Sequence, residues 1–211
     1  MKTLVAIPCM DMVHTEFFRS VLGMKLVGEV DYTMTMTSLI YDARNQLAER
    51  AVKGGFDRVL WLDSDMVFDN DLFKRLHTRL DEGYECVSGL YFARKPPYNP
   101  VIYKNCYLGL KGGDGLVDGE ITPINEPYTD YPGDIFEVAA HGFGATMMET
   151  RVIKEVMDNF GHPFSPEPFF GEDLSFCRRV SDLGHHMYCD PTIKLGHIGY
   201  VPITEETYLS R

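Results

Sequence analysis

The hydrophobic pattern of residues 1–93 switches back and forth between short apolar runs and a helical period. Residues 3–8 (TLVAIP) form an apolar run closed by a proline, the pattern of a strand buried on both faces. Residues 15–24 then place Phe17, Phe18, Val21 and Leu22 at helical spacing. A second strand is predicted over residues 25–32 (KLVGEVDY) and a helix over 38–53. In that helix Leu39, Ile40, Ala43, Leu47 and Ala51 make one stripe, and Gly54 and Gly55 stop it. Residues 58–62 (RVLWL) predict a third buried strand, followed at once by Asp63, Ser64 and Asp65. Asp69 or Asn70 is expected to cap the next helix, whose Leu72, Phe73, Leu76 and Leu80 line one face, and residues 86–92 predict a fourth strand. Alternation of this kind predicts an α/β fold with a mostly parallel central sheet and helices on both faces. Ligands of such sheets lie beyond the carboxyl ends of the strands, so residues 8–11 and 63–65 should line one crevice.

The pattern breaks after residue 93. Residues 94–133 hold six of the twelve prolines, together with Gly109, Gly112, Gly113, Gly115, Gly119 and Gly133, too many breakers for a long helix or strand. An irregular excursion with short strands, such as 101–103, is expected there. Residues 134–149 (DIFEVAAHGFGATMME) return to strand character with a bend at Gly142 and Gly144. A helix is expected over 151–160. After the turn at 163–168, Glu172 and Asp173 open another, with Leu174, Cys177, Val180 and Leu183 on one face and Gly184 at its end. Residues 186–189 predict a last short strand ahead of His197.

The chain has 211 residues, enough to bury a core without a staple. Thirty-one acidic against twenty basic residues give a net charge of −11, which disfavours a nucleic-acid partner, since such binders need a basic face. No apolar run approaches a membrane span, and the start, MKTLVAIPCMD, reads as a first strand and not as a signal peptide. Five cysteines with no CxxC pair argue against structural zinc, and with eleven methionines they suggest a reducing, cytoplasmic setting.

Four groups of residues can carry chemistry. Asp63–Ser64–Asp65, two carboxylates one residue apart at a strand end, suits a hard cation or its waters, with a solvated acidic turn as the plain alternative. His197, in LGHIG, is either structural or the imidazole that completes a mixed oxygen and nitrogen shell for Mn²⁺ or Mg²⁺. Glu172 and Asp173 are either first-turn acids that meet the helix dipole or a general base; the dipole, which lowers a carboxylate's pKa, opposes the second role. Arg44, on its helix, faces either solvent or a phosphate. No GxGxxG, P-loop, GxSxG or HExxH pattern is present.

In order along the chain stand Pro8, YDARN at 41–45, LWLDSDM, SGLYFARKPP, HGFGATMM, FFGEDLSFCRRV and DPTIKLGHIG. This set resembles nucleotide-sugar-dependent glycosyltransferases of the GT-A fold, close to the family 2 type, over nearly the whole chain. The resemblance implies one GT-A domain over 1–211, with a nucleotide-sugar-binding half (1–93) and a smaller, partly antiparallel acceptor-side and catalytic half (94–211). It implies Asp65 as a direct ligand of Mn²⁺ or Mg²⁺, His197 as a second, and Asp63 on the ribose or the metal's water shell. Pro8 and Asp11 would line the base pocket, with Ser64 in the aspartate motif and Arg44 near the diphosphate. Gly142 and Gly144 would let the chain pass close to sugar and acceptor. Asp173 would be the general base, with Glu172 beside it, in a metal-dependent transfer from a nucleoside-diphosphate sugar, a UDP-sugar favoured, to an acceptor hydroxyl. A single displacement would invert the anomeric centre, although some GT-A enzymes retain. The alternatives are a nucleotidyltransferase that makes a nucleotide sugar and a noncatalytic nucleotide-sugar-binding module. With no appended acceptor domain, the acceptor would rest on 94–133, 163–170 and a neighbouring subunit of a homo-oligomer. The aromatic middle region, from Tyr91 and Phe92 to Tyr131, suits sugar faces but equally an interface or a satellite core.

Overall fold

The computed structural model describes residues 1–111, 120–199 and 202–209. Gly112, Gly113, Gly115 and Gly119 therefore lie outside the described residues. The chain opens with β1 (Lys2–Cys9), α1 (Thr15–Gly23), β2 (Glu29–Met36), α2 (Ile40–Lys53) and β3 (Arg58–Leu62). A two-residue strand β4 (Met66–Val67), α3 (Leu72–Asp81) and β5 (Cys86–Leu90) follow. The middle region carries β6 (Ile102–Tyr103), β7 (Tyr107–Lys111), β8 (Glu120–Ile124), β9 (Phe136–Val138) and β10 (Ala140–His141). β11 (Ala145–Glu149), α4 (Thr150–Phe160), α5 (Glu172–Asp182), β12 (Met187–Lys194), β13 (Gly196–Ile198), β14 (Pro202–Ile203) and α6 (Glu205–Leu209) complete it.

Seven strands form one sheet in the order β2-β1-β3-β11-β5-β12-β9. β1, β2, β3, β5 and β12 run parallel; β11, inserted between β3 and β5, and β9, at the far edge, run against them. One face is covered by α2, α4 and α5, where Leu47, Val152, Phe176 and Val180 join a cluster around Trp61. The other is covered by α1 and α3, through Phe17, Phe73 and Leu76 on Val5, Ile7 and Leu60. Arg58 is the charged exception inside buried β3. Bonds to Asp81 Oδ1 (2.8 Å), Glu149 Oε1 (3.0 Å) and the His77 carbonyl (3.2 Å) offset its burial.

Several predicted boundaries move, those of the strands through long-range pairing. The second strand runs 29–36 and not 25–32, because β2 pairs with the full length of β1 from Lys2↔Glu29 to Cys9↔Met36. Neither Asp69 nor Asn70 caps α3: Asp71 stands at the N-cap, and no side chain bonds back. Leu39 and Ile40 do not join the buried stripe of α2; both stay exposed at the sheet's carboxyl end. The last strand extends to Lys194 through its pairing with β5.

His185 accounts for one pH-dependent tie. Its ring nitrogens meet Glu85 Oε2 at 2.9 Å and Glu155 Oε2 at 3.0 Å, so both bonds need the protonated ring. Burial alone would lower its pKa, but the two carboxylates outweigh it and raise it. The stabilisation is therefore complete below the unfolded value of about 6.5 and is lost as pH rises through the higher folded value. His185→Ala is expected to lower the Tm clearly near pH ~6 and much less near pH ~9, as thermal melts at the two pH values would read out.

Candidate functional site

The site is assembled where strand pairing brings distant segments together. β3 ends at Leu62, and a tight turn closes with Met66 N–H donating to the Asp63 carbonyl at 3.2 Å. That turn leads into β4, whose Met66 pairs with His197 and whose Val67 pairs with Gly196. Ile198 N–H also donates to the Asp65 carbonyl at 2.8 Å. A three-stranded sheet, β14-β13-β4, thus carries His197 to Asp65 across more than a hundred residues of chain.

The result is a pair of converging side chains. Asp65 Oδ2 lies 3.6 Å from His197 Nε2 and accepts a 2.8 Å bond from Arg94 Nη1. His197 Nδ1 lies 2.8 Å from the Phe92 carbonyl. A carbonyl only accepts, so Nδ1 carries a proton, which leaves Nε2 as the ring nitrogen that faces Asp65. The Tyr91 ring packs edge-on against the imidazole at 5.3 Å and fixes its plane. Burial would raise the Asp65 carboxyl, but the neighbouring His197 imidazole and Arg94 guanidinium hold it below its ordinary value. A carboxylate and an imidazole are donors that would suit a divalent cation, and they would supply part of its shell. Among the described residues, no group of three His, Cys, Asp or Glu side chains is placed to hold an ion unaided.

Behind the pair lies a buried ionic knot. Arg44, on α2 and 2% exposed, donates from Nη2 to Asp63 Oδ1 at 2.8 Å and from Nε to Glu172 Oε1 at 3.3 Å. Its guanidinium packs against Phe143, Phe164 and Trp61 at 5.3, 5.9 and 6.0 Å, while Nη1 makes no hydrogen bond. Asn45, next on the helix, accepts a bond from Phe164 N–H at 2.9 Å and so anchors the turn before α5. Burial pushes the Asp63 carboxyl above its ordinary value against the pull of Arg44.

Asp173 differs from its neighbour in having no cationic partner at hydrogen-bond distance. Its Oδ1 takes only the Leu174 N–H, at 2.7 Å. Burial, reinforced by Glu172, pushes its pKa up to about 6. Desolvation thus acts against the α5 dipole, which by itself would lower the value.

A cleft of about 670 Å³ joins these groups. Pro8, Arg44, Asp63, Ser64, Asp65, Glu172, Asp173 and His197 all line it. Asp11 does not: it is exposed and outside the cleft lining. Nor do Gly142 and Gly144, whose missing side chains make room for Tyr91. A Cβ on Gly142 would stand 2.0 Å from Tyr91 Oη, and one on Gly144 2.9 Å from Tyr91 Cζ. Gly144 N–H donates to that hydroxyl at 3.2 Å. Gly142→Ala is therefore expected to cost about 1–3 kcal/mol through overpacking, seen as a lowered Tm.

The sequence pattern gives Thr37 and Ser38 no place in the site, puts Ile40 in the core stripe and counts Arg94 and Lys95 only within the acceptor-side segment 94–133; all five line the cleft. The two cations stand in SGLYFARKPP directly after β5, at a strand carboxyl end, which was the available signal. From the middle region Val101 and Tyr103 reach the cleft; residues 163–170 do not. Tyr98, Tyr103, Tyr128 and Tyr131 pack on the main core, whereas Tyr107 is 50% exposed.

The architecture, a mixed α/β fold around a mostly parallel seven-stranded sheet, is shared with solved structures. The crystal structure of A197 from STIV superimposes with a TM-score of 0.65 at 18% identity, over 94% of this chain and 86% of that one. The glycosyltransferase GalNAc-T7, crystallised with UDP, GalNAc and Mn²⁺, gives 0.58 at 12% identity, over 94% of this chain and 44% of that one. S. aureus TarS 1-349, a third neighbour, gives 0.51 at 14% identity, over 91% and 61%. The chain thus spans less than two thirds of the last two. No protein-family model matches the sequence, and no curated protein matches it. Among the described residues, no helix is long and apolar enough to cross a membrane.

Proposed function

We propose that the protein is a metal-dependent glycosyltransferase that moves a sugar from a nucleoside-diphosphate sugar, a UDP-sugar favoured, to an acceptor hydroxyl. The observation that carries this reading is the approach of Asp65 Oδ2 and His197 Nε2, with the other imidazole nitrogen already committed to a backbone carbonyl. Asp65 and His197 would hold Mn²⁺ or Mg²⁺. Asp63, engaged by Arg44, would reach the ribose or the ion's water shell. When bound, the cation supplies Lewis-acid stabilisation of the charge that grows on the leaving diphosphate.

The chain's own residues do the remaining work. Pro8, Met10 and Ile40 give the cleft an apolar wall, and Thr37 and Ser38 add hydroxyls, a mixture suited to a nucleobase and ribose. Arg44 is held by two carboxylates and fixes the relative positions of Asp63 and Glu172. Arg94 and Lys95 supply positive charge at the cleft for the diphosphate. Asp173 takes the proton of the attacking hydroxyl. Its raised pKa makes it a better acceptor than an ordinary aspartate while leaving it largely ionised at neutral pH. Glu172, occupied by Arg44, orients and does not accept. One displacement of this kind inverts the anomeric centre.

The test is incubation with UDP-, GDP- and CMP-sugars and Mn²⁺. Slow hydrolysis of one donor, stopped by a chelator, is the expected result. Binding of every donor without turnover would point to a noncatalytic module. A requirement for a nucleoside triphosphate, with pyrophosphate released, would point to a nucleotidyltransferase.

A further inference from the structure

Among the described residues seventeen large apolar side chains are exposed, and eleven of them fall between residues 10 and 40. The concentration coincides with an open sheet edge. β2 is the terminal strand of the seven-stranded sheet and pairs only with β1. Glu29 N–H donates to the Met1 carbonyl and Thr37 N–H to the Cys9 carbonyl, so the odd-numbered residues turn their backbone groups inward. The even-numbered residues Val30, Tyr32, Met34 and Met36 then turn theirs outward, and among the described residues no third strand receives them.

The same even-numbered residues carry the apolar side chains. Tyr32, Met34 and Met36 are 42, 49 and 73% exposed, and lie on the face that α1 covers, where Phe18 and Leu22 add 51 and 70%. Natural edges are guarded by prolines, bulges or lysines, and β2 has none of these. Its two acids, Glu29 and Asp31, share one cation of their own chain, Lys2 Nζ, at 4.0 and 3.5 Å.

We infer that β2 pairs antiparallel with β2 of a second copy about a two-fold axis through Thr33, continuing the sheet across a dimer. The register follows from the backbone. Only outward-facing residues can exchange bonds, so even positions must oppose even positions. An axis at Thr33 sets Val30 against Met36 and Tyr32 against Met34, and uses all four outward residues of each copy. An axis at Tyr32 would leave Met36 unpaired. With the axis at Thr33 the apolar side chains meet on one face, and Asp31 faces Thr35. The two Asp31 residues stand about 13 Å apart along the strands, beyond the screening length. A stable interface needs on the order of 800 Å² per partner, toward which Tyr32, Met34 and Met36 on β2 and Phe18 and Leu22 on α1, each at least 42% exposed, contribute apolar surface. An edge of unpaired backbone groups calls for another strand and not a lipid, which could not satisfy them.

Sedimentation of the full chain across concentrations up to about 100 μM tests this. The expected species has twice the 24.0 kDa chain mass. Met34→Lys puts a charge opposite Tyr32 and two like charges on the diagonal, and should weaken association ~100-fold while the monomer keeps its circular dichroism. Thr33→Cys should cross-link to itself under mild oxidation, since the non-hydrogen-bonded pair on the axis brings the two positions close. Thr33 accepts a bond from Arg50, so Met34→Lys carries the test alone if the cysteine variant fails to fold. A monomer at every concentration overturns the inference, including one whose apolar face binds phosphatidylcholine vesicles instead. So does a dimer indifferent to Met34→Lys.

Discussion

Asp173→Asn is expected to keep Mn²⁺-dependent UDP binding and to lose ~10²- to 10⁴-fold in kcat, the usual contribution of a general base. The amide is nearly isosteric, so the Leu174 N–H bond at the carboxylate position can persist while the proton acceptor is gone. The wild-type rate should fall as pH drops through about 6, where Asp173 takes up a proton before any hydroxyl can give it one. Stability should move the opposite way. A folded pKa of about 6, above the ordinary value, means the ionised carboxylate destabilises the fold at neutral pH and the protonated one does not. The asparagine variant should thus melt higher than wild type above pH ~6 and lose that advantage toward pH ~4. Turnover within a fewfold of wild type would move the base to Glu172 or elsewhere.

Asp65→Ala is expected to remove the Mn²⁺-dependent part of UDP affinity, a loss of at least ~100-fold, since even outer-shell changes cost metal sites 10- to 100-fold. The readout is a UDP titration by calorimetry with and without Mn²⁺. His197→Ala should reproduce the loss, because His197 on β13 and Asp65 in the turn before β4 would share the ion. Arg94, released from Asp65, offers an internal contrast: the variant should bind UDP without Mn²⁺ no worse than wild type does. Unchanged Mn²⁺ stimulation in Asp65→Ala would take that carboxylate out of the site.

Sequence carried the parts of this site that depend on local pattern. The RVLWL run located β3 and hence the aspartates at its end, because a strand buried on both faces is continuous in sequence. Glu172 and Asp173 could be placed in the first turn of α5 for the same reason. What long-range pairing decides was not legible. β11 enters the sheet antiparallel between β3 and β5, and β2 slips toward its carboxyl end to match β1. Gly142 and Gly144 were read as space for a ligand, and the space belongs to Tyr91, fifty residues away in the chain. Spacing leaves Arg44 between solvent and phosphate, and the resemblance puts it near the diphosphate; only the folded chain shows it buried between two carboxylates. The pKa of Asp173 eluded sequence because burial is a property of everything packed around a group.

Trp61 is the chain's only tryptophan, fully enclosed, and 6.0 Å from the guanidinium that grips Asp63 and Glu172. Its fluorescence therefore comes from one known position, and a nearby cation shifts indole emission according to its place over the ring. Whatever tugs on either carboxylate is relayed through Arg44 to a single emitter, so the protein brings its own optical gauge of cleft occupancy, with no dye or label to attach.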